Sequence, residues 1–262
     1  MGSATTRALA ASTDALAAAS GLTLDSAAEL FAAARAIGES AQLSGALADP
    51  AASTEARAAL VSSVFVGTSA TVRSLLTTVA EQRWSSASDL VDGVEELAIR
   101  TAAIASPKDD VSGELFGFSR VIAANPEFEL ALGRRLGDDG AKGALVEKVL
   151  GTNAAPATVL IASSLVRQPR ERRVRQIIAR AIDIVSAQSG RTVATVYTAA
   201  PLPAAQETRL RDALASRYGG EISVNQVIDP TVIGGLRVQI ADDVIDGSIS
   251  ARLADLRLKL AS

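Results

Sequence analysis

Apolar positions recur every three or four residues from residue 4 to about 187, and beyond Ser189-Gly190 they alternate every second residue. The first period predicts α-helices and the second β-strands. Turn-forming residues interrupt the helical run at Asp49-Pro50, Gly67-Thr68-Ser69, Ser106-Pro107-Lys108-Asp109-Asp110, Gly137-Asp138-Asp139-Gly140 and Gly151-Thr152-Asn153. Past the switch, Val193, Thr195 and Tyr197 share one face of a strand, and Ile222 with Val224 begin another. Between them Pro203 starts a helix with Leu210 and Leu214 one turn apart, and Gly219-Gly220 ends it. The expected fold is mainly α with a small α/β C-terminal domain. Two tandem helical bundles, 1–105 and 106–188, precede a small sheet packed with two helices, 189–262.

The two bundles read as copies. Glu29-Leu30-Phe31 with Arg35 and Ile37 matches Glu114-Leu115-Phe116 with Arg120 and Ile122, 85 residues later. Leu60-Val61 and Val64 fall on Leu145-Val146 and Val149 at the same offset, behind the basic residues Arg57 and Lys142. A period this long exceeds the 20 to 50 residues or so of solenoid units and points to a duplicated helical domain, the first copy more diverged.

Toward the C-terminus, Leu236, Val238 and Ile240 point to one side of a strand and Arg237 and Gln239 to the other. An Asp229-Pro230 turn and a Gly234-Gly235 pair precede this strand. Asp246-Gly247-Ser248 follows it, turning the chain and capping a helix. The stripe Ile249, Leu253, Leu256 and Leu260 completes that helix, the first two expected in the core and Leu256 and Leu260 facing a partner.

This ordered combination resembles the C-terminal end of the delta subunit of bacterial F-type ATP synthase, a relative of the mitochondrial oligomycin-sensitivity-conferring protein. The second helical copy resembles the family's N-terminal domain, with Asn125-Pro126 ahead of Ala141-Lys142-Gly143-Ala144-Leu145-Val146 and a later helix carrying Ile177, Ile178, Ile182 and Val185. The first copy opens Thr5-Thr6-Arg7-Ala8-Leu9, lacking the aromatic residue of the family's Tyr-Ala-Lys-Ala-Leu. The resemblance implies a non-catalytic stator subunit that ties the catalytic head to the peripheral stalk and resists rotor torque. It implies that the helical part binds N-terminal segments of the alpha subunits. The α/β part is then expected to bind the C-terminal helices of the b subunits, with one copy of the chain per complex on the cytoplasmic face of the plasma membrane. On that resemblance Asp229, Pro230, Gly234, Gly235, Asp246, Gly247 and Ser248 are fold-and-docking residues.

Composition narrows the alternatives. The 262 residues are 48% hydrophobic and only 3% aromatic, so cores are built from Ala, Leu, Val and Ile, the material of close-packed helices. There is no Cys and no His, which excludes disulfides, thiol nucleophiles, imidazole relays and ordinary zinc or haem sites. A net charge of -3 and a pI near 5.2 argue against a broad nucleic-acid surface. The Ala-rich N-terminus lacks the apolar core of a signal peptide, and no apolar stretch is long and uncharged enough to span a bilayer. Membrane association is therefore expected only through partner subunits.

No cofactor or metal is expected. Gly234-Gly235 opens a strand with no Lys-Ser/Thr after it, which is no phosphate cradle, and the pairs Asp109-Asp110, Asp138-Asp139 and Asp242-Asp243 read as solvated turns. The run Arg167, Arg170, Arg172, Arg173, Arg175 and Arg180 reads either as a solvated face or, at Arg172 and Arg173, as a contact for an acidic partner helix. Trp84 is the sole Trp and reads as a gap-filling core residue. The competing function is a regulatory helical adaptor with no role in energy conversion. A Ser hydrolase is disfavoured because no nucleophile elbow is present.

Overall fold

The computed structural model describes residues 2–133, 138–170, 172–240, 243–249 and 253. The chain divides into two compact units, 1–185 and 186–262. In the first lie α1 (Ser3–Ala18), α2 (Leu24–Glu39), α3 (Ala41–Ala48), α4 (Thr54–Val64), α5 (Ala70–Glu81), α6 (Ala87–Ala105), α7 (Val111–Ala124), α8 (Pro126–Gly133), α9 (Asp139–Leu150) and α10 (Pro156–Arg167). Most of α11 (Val174–Gln188) belongs there too.

Short polar side chains start these helices where the sequence breaks. Thr23, Ser40, Ser53, Ser69, Ser86, Asp110 and Asp138 each accept a backbone N–H from the first turn, satisfying donors that have no partner inside the helix. Two of the aspartates read as solvated turn residues, Asp110 and Asp138, are thus helix caps. Pro156 occupies the first turn of α10, where a missing N–H costs nothing.

Several of the positions that match at an offset of 85 occupy matching places, though Phe116 and Leu145 are more exposed than Phe31 and Leu60. Glu29 accepts hydrogen bonds from the backbone and hydroxyl of Ser69, just ahead of α5. Glu114 accepts them from the backbone of Ala155 and the hydroxyl of Thr158, at the start of α10. Arg57 and Lys142 are both buried, Val61 and Val146 fully so, while Val64 and Val149 are 44% and 43% exposed.

α6 is the spine of this unit. Leu90, Val94, Leu97, Ala98 and Ala102 are inaccessible, and the helix packs against α2, α3 and α1 as well as α10. It is therefore apolar on more than one side, as a helix enclosed by neighbours must be. Trp84 lies just before it, buried against Gly93, its indole N–H donating to the Val79 carbonyl at 2.8 Å. A side chain at position 93 would displace that ring.

Two carboxylates on α6, Glu95 and Glu96, are also nearly closed off from water, with the more exposed Asp92 beside them. The second run of helices supplies partners to all three, Glu96 also pairing with Arg100 of α6 itself. Glu95 receives both guanidinium nitrogens of Arg172 at 2.9 Å and one from Arg170 at 3.0 Å. Arg170 also reaches Asp92, and Arg180 reaches Glu96 at 3.2 Å. In the first run, Thr5 of α1 bonds Ser85 and Asp89 at the turn entering α6. Glu95 of α6 does the same for the turn entering α11. One helix thus closes the first run and opens the second.

In the second unit, β1 (Arg191–Thr198), α12 (Ala204–Tyr218), β2 (Glu221–Ile228), β3 (Leu236–Ile240) and β4 (Asp243–Asp246) form a sheet in the order β2-β1-β3-β4. β1 and β2 are parallel, joined through α12, and the other two pairs are antiparallel. Ala194, Val196, Ile222, Val238 and Ile240 meet Leu214 and Leu210 of α12 in one core. Gly219 and Gly220 end α12 at φ 76° and 77°, values that only glycine reaches without strain. The helix end is tied to β4 by the Tyr218 hydroxyl, which donates to Asp243.

Replacing Glu95 by Ala leaves the Arg170 and Arg172 guanidinium groups in a closed site without their main acceptor. The expected loss is about 3 kcal/mol, at the lower end for a broken buried ion pair because the arginines keep some solvent contact. That corresponds to a Tm lower by roughly 6–12 °C, read by circular dichroism on the full chain.

Candidate partner-docking site

The two C-terminal turn motifs come together in space. The Gly247 N–H donates to the Leu236 carbonyl at 2.9 Å, and the Ile249 N–H donates to the Gly234 carbonyl at 3.2 Å. Gly234 and Gly235 sit at φ 65° and 76°. A Cβ on Gly235 would run into the Gly247 carbonyl oxygen, and one on Gly234 into the side chain of Ile249. Glycine is required here both by backbone angle and by the approach of the other strand. The Gly-Gly pair and Asp246-Gly247-Ser248 therefore form one clasp at the end of the β3–β4 hairpin.

Each aspartate in these motifs holds its own turn. Asp229 accepts the hydroxyl and N–H of Thr231, at 2.6 and 2.9 Å, and its own N–H donates to the Thr198 carbonyl. Asp246 accepts the N–H of Ser248 at 2.9 Å, and Ser248 is buried. These are Asx turns. Hydrogen bonds from the Thr231 and Ser248 side chains first, and from their backbone N–H groups second, hold both carboxyls below their ordinary range. Pro230 is exposed between them. Leu256 and Leu260 lie outside the described residues.

Exposed apolar side chains lie beside the clasp and along β4, with Asp229, Asp246 and Arg237 among them. Ile233 is 67% exposed, with Ile249 at 51%, Leu253 at 53% and Val244 at 54%. Ile249 and Leu253 thus face away from the core in which the helical stripe placed them. The reason is that Leu202, Leu210 and Leu214 already fill the core face of the sheet. Ile233 was not singled out by the sequence reading; its signal was an apolar residue beside a Gly-Gly turn with no strand to alternate in. On the opposite face of the sheet, Arg237 stacks over the Tyr197 ring, 4.5 Å from its centre.

The two candidate arginines in the helical unit part company. Arg172 is committed to Glu95. Burial alone would lower its pKa, but the Glu95 hydrogen bonds and charge, with Asp92, outweigh that and hold it above the ordinary value. Arg173, one residue on, is exposed and its side chain has no partner among the described residues. The Arg-rich run is thus partly internal wiring: Arg170, Arg172 and Arg180 reach α6, Arg167 pairs with Glu147 and Arg175 with Glu129.

Chemically the surface is built for contact. Among the described residues no three Asp or Glu side chains gather as a metal site, and no helix is long and apolar enough to cross a membrane.

Comparison with known proteins fits this picture. A family profile described as "ATP synthase delta (OSCP) subunit" matches residues 97–260, beginning within α6. A protein of Leifsonia xyli named "ATP synthase subunit delta" is 49% identical over 100% of both chains. Proteins of the same name from Streptomyces avermitilis and Acidothermus cellulolyticus are 41% and 37% identical, over 82% and 89% of this chain and 81% and 87% of their own. The first 96 residues lie outside the profile yet inside the full-length alignment with the Leifsonia protein.

Gly235→Ala is expected to destabilise the second unit by clearly more than the roughly 1–2 kcal/mol of left-handed backbone alone, because the carbonyl of Gly247 is in the way. Gly190→Ala, at φ 67° with open space around it, should cost only that roughly 1–2 kcal/mol. Hydrogen exchange across β1–β4 in the intact chain distinguishes them.

Acid sensitivity follows from Asp229 and Asp246. Their folded pKa values lie below the unfolded ones, near 3.9 or so, so the folded state binds fewer protons. Their stabilisation is complete above the unfolded value and is lost as pH falls through the folded one. Asp246→Asn should flatten this acid-side loss in hydrogen exchange measured below pH 5 or so.

Proposed function

Because the chain belongs to the ATP synthase delta (OSCP) subunit family, we propose that it links the catalytic head of the ATP synthase to the peripheral stalk. The chain is a non-catalytic stator component of that enzyme. In this reading the first unit binds N-terminal segments of the alpha subunits, and the clasp with the apolar side chains beside it binds the C-terminal helices of the b subunits. One copy serves each complex, held at the cytoplasmic face of the plasma membrane by its partners.

The observation that carries the reading is the full-length likeness to a delta subunit at 49% identity. The surface supports it. Ile233, Val244 and Ile249 present apolar area on a rigid hairpin, which is what a helix needs from a docking site.

The work of such a link is to remain attached while the rotor turns. Several modest contacts on one chain achieve this, because release at one site leaves the others tethered at high effective concentration. The additional helices α1 to α5 extend the chain beyond the segment matched by the family profile. We read α1–α6 and α6–α11 as two related bundles sharing α6, and the extra bundle as a further point of attachment.

A tagged chain pulled down from mildly solubilised native membranes should bring alpha, beta and b subunits with it. Ile233→Asp should remove the b subunits while leaving alpha and beta bound. Recovery of the chain without any of them defeats the stator reading. The pure chain should hydrolyse no ATP.

A further inference from the structure

Between α8 and the turn that enters α11 lies an open groove of about 480 Å³. Pro126, Leu130, Pro169 and Val174 give it an apolar floor, and Leu130 is 61% exposed. Arg172, Arg173 and Arg175 stand along its rim, with Glu129 the one acid among the described lining residues. In a chain of net charge -3 this is a local excess of positive charge. Arg172 and Arg175 are held by Glu95 and Glu129, which leaves Arg173, among the described residues that line the groove, as the cation without a side-chain partner.

Arg173, unlike Arg172 and Arg175, makes no side-chain hydrogen bond or ion pair to the described residues of the fold. The turn entering α6 has the same role in the first run of helices and ends in the capping serine Ser86, where Arg173 precedes α11. That turn, residues 82–86, carries the exposed Arg83 near its start but no arginine at the position preceding the helix, where Arg173 stands in the second run.

We propose that this groove docks an acidic amphipathic helix of a partner subunit, an apolar side chain resting on Leu130, Pro126 and Pro169 and an Asp or Glu pairing with Arg173. The proposal rests on the stator reading and adds to it a specific site in the helical unit and the chemistry of its occupant. Charge complementarity selects the partner: an apolar helix without acids leaves Arg173 unpaired under it, and a basic helix is repelled by the rim. The groove is too small for a folded domain and suits one or two anchoring side chains.

The chain has no cysteine, so Leu130→Cys carries a single photoreactive maleimide label without further engineering. The labelled full-length chain is assembled into ATP synthase in native membranes and irradiated, and the linked peptide is identified. The expected product is a link to an acidic amphipathic stretch of an alpha or b subunit. Adding Arg173→Glu should cut its yield about tenfold at low salt, with a smaller effect at high salt where the charge is screened. Arg173→Glu alone should leave the Tm unchanged, separating lost docking from lost folding.

If the subunits co-purify but Leu130→Cys links to nothing, or only to a second copy of this chain, the groove proposal is wrong and the stator reading stands. If they do not co-purify with the unaltered chain, both fall.

Discussion

The helical unit depends on the carboxylates of α6, withdrawn from water and matched by arginines that arrive from the far side of the sequence. Glu95 is nearly closed off and accepts bonds from both Arg170 and Arg172, more than 70 residues away. A charge in such a place is tolerable only when fully paired, so the turn entering α11 has little choice of position. Because α6 also packs its apolar residues against α2, whatever fixes α11 on α6 fixes it relative to the first run of helices. The bundles are joined by one shared element instead of a linker.

That sharing bears on mechanical duty. A protein that transmits torque through a flexible joint would lose load to bending, whereas helices that enclose a common spine shift together or not at all. The short side chains of the Ala-rich helices allow the close approach that such packing needs. In the second unit stiffness is obtained differently, by a hairpin whose turns are locked by glycines and Asx bonds. Its apolar residues point outward because the core is already filled from the other face by α12.

Much of this was legible in the chain. The change of period after Gly190 marks the switch from helix to sheet to within a residue of β1. The turn residues mark the helix starts capped by Ser69, Asp110 and Asp138 but not those capped by Thr23, Ser40, Ser53 and Ser86. The internal match at 85 residues pairs Glu29 with Glu114, each accepting bonds at the start of a later helix. Arg57 and Lys142 are alike only in burial, one bonding carbonyls at the end of α5 and the other Asp139 of its own helix. The C-terminal motifs pointed to the family because glycine positions and Asp turns are set by local backbone geometry. β4 was not separated from the turn that follows it, since Val244-Ile245-Asp246 is too short to show alternation.

What the sequence determined by itself was local: where helices start and stop, which residues repeat, which chemistries are impossible without His or Cys, and which turns demand glycine. Each depends on neighbours within a few residues or on composition. Tertiary structure alone decided that Arg172 is spent on Glu95 while Arg173 has no side-chain partner among the described residues, that α6 serves both runs of helices, and that Ile249 faces outward. Pairing and exposure depend on which distant elements arrive at a surface first and fill it, and no spacing along the chain encodes that.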